Sequence, residues 1–163
     1  MTENEKELKD IKNLYRLLML SIALQVIPFY NLQLFGFLLF MVVLIWAYVL
    51  KMKYIDSPFG KTHAVHVIKT IWNFSTFFAI GFCIWMVIMY LDADKAALDA
   101  YSEQIVATGQ VDEAGIKSTI AALVSDNFGL AVKVGIPTLL PSIIYLIFRI
   151  WSGSSNASCE RTI

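Results

Sequence analysis

From Thr70 to Leu91 the chain carries no charged side chain. A helix rises about 1.5 Å per residue and the hydrocarbon core of a bilayer is about 30 Å thick, so about twenty apolar residues in succession meet the requirement for a spanning helix. Residues 68–91 therefore read as a transmembrane helix, with Trp72, Trp85 and Tyr90 placed where interfacial aromatics often sit. Composition agrees: 58% of the 163 residues are hydrophobic and 16% charged, with a mean hydropathy of +0.64, outside the range of soluble domains. Lys plus Arg and Asp plus Glu both total 13, which excludes a nucleic-acid binder resting on bulk positive charge. Two cysteines, Cys83 and Cys159, are too few for a disulfide scaffold.

Three further apolar stretches follow the same logic. Residues 128–151 are long enough to cross but carry Lys133 near the start and Pro137 and Pro141 inside. Each proline removes a backbone donor and favours a kink, which predicts one bent span. Residues 14–30 and 34–50 are shorter, about 25 Å of helix each. Pro28, Tyr30, Asn31 and Gln33 lie between them and are turn formers. One unbroken helix over residues 14–50 would run about 55 Å, far beyond a bilayer, so a hairpin of two thin spans is expected. The leading segment mixes Glu3, Glu5, Glu7 and Asp10 with Lys6, Lys9 and Lys12, unlike the short basic start of a signal peptide.

The expected fold class is all-α: a polytopic membrane protein with four transmembrane helices and an extramembrane amphipathic helical hairpin between the third and fourth. The boundaries read as a cytoplasmic segment over residues 1–13, a transmembrane hairpin over 14–50, a cytoplasmic loop over 51–67, a third helix over 68–91, an outer loop over 92–127, a fourth helix over 128–151 and a tail over 152–163. Lysine and arginine in short loops set orientation. Lys6, Lys9, Lys12, Arg16, Lys51, Lys53, Lys61, Lys69, Arg149 and Arg161 fall on one side, against Lys95, Lys117 and Lys133 on the other. Both termini are thus expected on the cytoplasmic side of a multi-pass membrane protein.

The outer loop is acidic, with Asp92, Asp94, Asp99, Glu103, Asp112, Glu113 and Asp126. Leu98, Tyr101 and Ile105 recur at helical spacing, as do Ile116, Ile120, Leu123 and Val124 after the Thr108-Gly109-Gln110 break. Two short amphipathic helices are predicted, the second capped by Asp112. They form either a surface for a partner or a cover packed on the protein's own helices.

No Asp or Glu lies within any expected span, which argues against ion coupling through a membrane carboxylate. The most distinctive polar stretch runs from Thr62 to Asn73. Spacings of three, four and three place His63, His66, Thr70 and Asn73 on one helical face, with Lys69 beside them and Arg149 near the matching end of the fourth helix. Such a stripe enters an apolar layer only if it is hydrogen-bonded across the bundle or wetted. Two imidazoles one turn apart can share a metal ion, yet the set is two ligands short with only Asp56 nearby. A bis-histidine haem fails because both rings belong to one helix. The remaining reading is an interhelical polar clamp with an interfacial anchor, and no cofactor, metal or catalytic residue is assigned. Asp56-Ser57-Pro58-Phe59-Gly60 reads as a turn, after which Thr62 is placed to cap the helix.

The run Thr62-His63-x-x-His66-x-Ile68-Lys69-Thr70-x-Trp72, with Phe148-Arg149-Ile-x-x-Gly153 near the end of the chain, resembles the signature of small bacterial four-helix membrane proteins of unknown function. Their superfamily is distantly similar to the chloroplast import component nicknamed Tic-twenty. Val67 stands where that pattern usually has a polar residue, and the outer loop is longer and more acidic. The resemblance implies a helical integral membrane protein; it carries over His63, Lys69, Thr70, Trp72 and Arg149 as motif positions without a chemical role. The expected function is that of a non-enzymatic accessory or interaction subunit contacting membrane lipid and a membrane-protein partner or a second copy, with no nucleic acid. The alternative is a small oligomeric transporter or channel, translocon-like by analogy only.

Overall fold

The computed structural model describes residues 2–27 and 29–159, and of Val26 the backbone alone. Pro28 and Arg161, which enter the turn and orientation arguments, lie outside the described residues. Among the described residues the chain is all-helical: α1 (Glu3–Val26), α2 (Tyr30–Lys53), α3 (Pro58–Asp92), α4 (Ala96–Thr108) and α5 (Glu113–Ser158). Three of them, α2, α3 and α5, are long and apolar enough to cross a membrane. In α1 the charges persist to Arg16 and leave only Leu17 to Val26 free of them, about 15 Å of helix.

Helix extends further at several ends than the apolar pattern alone foresees, and local chemistry accounts for each case. α1 starts at Glu3 because Thr2 and Glu5 form a reciprocal capping box, satisfying two backbone donors that a helix start otherwise leaves open. Tyr30, Asn31 and Gln33 are not a turn but the first turn of α2, whose opening bonds run from Leu32 and Gln33 N–H to the Phe29 carbonyl. α3 begins at Pro58, ten positions before Ile68. Proline suits the first helical position, where its missing N–H costs nothing. The Lys61 N–H closes the first turn on the Ser57 carbonyl at 3.1 Å. Thr62 does not cap; its hydroxyl donates to the Pro58 and Phe59 carbonyls within the helix.

The outer segment also differs from two short helices. α4 ends at Gly109, whose positive φ of 64° is the left-handed cap conformation, with its N–H on the Ile105 carbonyl. Asp112 then caps the next helix as expected, accepting from the Gly115 N–H. That helix does not stop: α5 continues from Glu113 through Pro137 and Pro141 to Ser158. Each proline forfeits one helical bond, from its own position to the carbonyl of Lys133 or Pro137, and the flanking apolar turns keep the helix continuous.

The chain divides into two compact units, Met1–Thr76 with Ile143–Ile163, and Phe77–Ser142. The first holds the whole buried apolar core, including Ile11, Leu14, Leu18, Val43, Ala47, Leu50, Val67 and Ile71. The second brings its parts of α3 and α5 close at Gly81, where even a methyl group would strike the Thr138 carbonyl. Small residues at such contacts are how helices approach without a solvent-driven core.

Candidate functional site: a polar clamp at the basic end

The polar face foreseen on α3 divides between several neighbours. His63 and His66 are buried, as is Thr70, whereas Lys69 and Asn73 are exposed. His63 lies toward α1, its Nδ1 hydrogen-bonded with the Tyr15 hydroxyl at 3.2 Å. The two rings meet edge-on at 5.9 Å, and Phe59 lies 4.6 Å from the imidazole on its own helix. His66 lies toward α5, its Nε2–H donating to the Arg149 carbonyl at 3.1 Å. That bond fixes the proton on Nε2.

Thr70 corrects the expectation of a bond across the bundle. Its hydroxyl donates to the His66 carbonyl of its own helix at 2.7 Å, the back-bonding that lets a threonine enter an apolar layer without a partner helix. Asn73 does reach across, donating to the Tyr145 hydroxyl of α5 at 3.0 Å, and Trp72 donates to Tyr48 of α2 at 3.1 Å. The two segments of the family-like motif, His66 and Arg149, thus meet directly.

Several members of this cluster carry no sequence signal. Tyr15 sits in a stretch that reads only as apolar, and it is 1% exposed. Gly153 makes room for it: a Cβ there would fall 2.7 Å from the Tyr15 ring carbons. Glu7, in the charged leader, is buried and accepts from the Gly60 N–H at 2.6 Å and from the Ser57 hydroxyl. A carboxylate there meets open N–H groups and the positive end of the α3 dipole. Asp10, one turn on, accepts from Lys53 Nζ at 2.6 Å and the Tyr54 hydroxyl at 2.7 Å. Partial burial works against its charge, but those two hydrogen bonds and the nearby lysine charges outweigh it and hold the carboxyl below its ordinary range.

The arrangement joins α1, α2, α3 and α5 of the first unit through bonded polar groups. Among the described residues no three His, Cys, Asp or Glu side chains converge as a metal site would need. Comparison with known proteins yields no matching family model, no similar curated protein and no similar solved structure.

Proposed function

We propose that this chain is a four-span protein of a bacterial cytoplasmic membrane, both termini cytoplasmic, serving as a non-enzymatic accessory or interaction subunit. The observation that carries the reading is the inversion of its surface. Large apolar side chains point outward along the candidate spans, Ile45 being 65% exposed, Val87 57% and Ile147 54%, while His63, His66 and Thr70 are turned inward and bonded. In water such a surface is an aggregation liability; in lipid, or against another membrane helix, it is matched.

The fourth span would be α1, its apolar half lying with α2 as a hairpin and its charged half remaining among the headgroups. His63, His66 and Asn73 are engaged in bonds between helices, which favours a scaffold over a conduit. α4 has no buried residue and carries Asp99 and Glu103, so it is the surface offered to a partner. Kinship with the Tic-twenty-like superfamily belongs to the same proposal and rests on the sequence resemblance of residues 62–72 and 148–153.

Cysteine accessibility in intact cells tests the topology: single cysteines at Asn31 and Ser102 should label from outside, and those at Ser57 and Ser154 only after permeabilisation. A stoichiometric membrane partner that co-purifies with the intact chain and is lost when residues 96–108 are replaced by a flexible linker supports the accessory role. Solute flux in proteoliposomes that disappears in His63→Ala favours a transporter and overturns it.

A further inference from the structure

We propose that a groove at the basic end of the first unit is a binding site for a phosphate-type oxyanion. Lys61, Thr62, Val65, His66 and Lys69 of α3 line it with Arg149 of α5, around about 370 Å³. Spacings of four place Lys61, Val65 and Lys69 on one face of α3 a turn apart. Three cationic side chains line it, and among the described residues no carboxylate does.

Two acids of this end are engaged elsewhere, Glu7 with Ser57 and Gly60, and Asp10 with Lys53 and Tyr54, and Asp56 is exposed and not part of the groove lining. Among the described residues the ion pairs are Lys53 with Asp10 and Lys117 with Glu113, so Lys61, Lys69 and Arg149 take part in none. Arg149 is half-buried and its Nε–H is enclosed by protein, so what it offers to the groove is the terminal nitrogens of its guanidinium, a planar donor fork that matches a tetrahedral oxyanion. Thr62 has already given its proton to backbone carbonyls, so the donors are the two lysines and the arginine.

The chemistry fits the phosphate of an anionic phospholipid and equally a soluble phosphate. Basic pockets between helices on the cytoplasmic side are where lipid headgroups are held, and the flexible lysine stems reach toward that layer. The membrane reading bears only on the source of the phosphate: a chain that stays in solution without detergent refutes that reading, while the soluble arm still tests the groove.

The experiment uses the full chain in non-ionic detergent and native mass spectrometry, with phosphatidylglycerol or phosphatidylcholine of identical acyl chains and inorganic phosphate as competitor. Phosphatidylglycerol should be retained over phosphatidylcholine, and Lys61→Gln/Lys69→Gln should weaken it about thirtyfold, the loss expected for two lysines facing an anionic headgroup. Lys9→Gln/Lys12→Gln removes the same charge from α1 and should leave retention nearly unchanged. Competition by inorganic phosphate with no preference between lipids upholds the oxyanion site and assigns it to a soluble ligand. Equal retention of both lipids without competition, or equal losses in the two lysine variants, overturns the proposal.

Discussion

The two units of the chain are stabilised in different ways. In the first, Met1–Thr76 with Ile143–Ile163, Leu14, Leu18, Val43, Ala47 and Val67 are fully enclosed, and Tyr15, His63 and His66 bridge the helices among them. In the second, Phe77–Ser142, the buried residues are Gly81, Asn127 and Ser142, while Phe77, Ile80, Ile84 and Val87 face outward. One region has an interior of the soluble type; the other relies on close backbone approach and a few polar pins. The difference teaches that an apolar helical chain can concentrate its specificity at one end, where enough helices gather to enclose side chains.

The contrast is broken most sharply at two glycines. Gly153→Val places carbon where the Tyr15 ring lies and should lower stability by about 1–3 kcal/mol, the range for overpacking a filled site. Gly129, also inside α5, has open space around it, so Gly129→Ala should be neutral or stabilising by up to about 1 kcal/mol through helix propensity. Thermal unfolding in detergent followed by circular dichroism measures both, and equal destabilisation by the two variants would remove the distinction between the units.

Asn127 tests whether the second unit depends on its few pins. Its side chain accepts from the Asp94 N–H and donates to the Asp94 and Leu123 carbonyls. Asn127→Ala leaves those backbone groups open to water or unpaired, a cost of about 1–2 kcal/mol falling on the loop before α4. Proteolysis at residues 93–95 should accelerate in this variant while the thermal midpoint moves little. A large fall in midpoint with no faster cleavage would mean that the pin supports the whole chain.

The smallest effect belongs to Asp10. Its carboxyl is held below the ordinary value, so its contribution is present above the unfolded pKa of about 3.9 and is lost as pH falls through the lower folded value. The pair with Lys53 is partly exposed, which limits it to under about 1 kcal/mol and makes it sensitive to salt. Asp10→Asn should therefore be slightly less stable than the native chain near neutral pH, with the gap closing below pH ~4 and at high ionic strength. A gap that stays constant with pH would assign the effect to packing.

The helical character was legible in the apolar runs, and the polar face of α3 in the spacing of His63, His66, Thr70 and Asn73. Helix ends were less so, because capping chemistry overrides hydropathy there: Ser57-Pro58 starts α3 well before Ile68, and Asp112 starts a helix that runs on into the apolar stretch. Thr70 lies on the polar face with its hydroxyl on the His66 carbonyl of its own helix, neither wetted nor bonded across the bundle, because a threonine in a helix can bond its own backbone and spacing does not distinguish that from a bond across helices. Glu7 carries no signal that separates it from the other charges of the mixed leader, because its role comes from the Gly60 N–H, fifty-three positions away.

By itself the sequence determined that this chain is helical and suited to lipid, because hydropathy and its length scale are local and additive along the backbone. It also determined where positive charge accumulates. Only the tertiary structure decided that Tyr15 pairs with His63, that His66 bonds the Arg149 carbonyl, and that Lys61, Lys69 and Arg149 share a groove. Those pairings span forty-eight and eighty-three positions, and bonds at such separation depend on how helices pack rather than on the residues beside them in the chain.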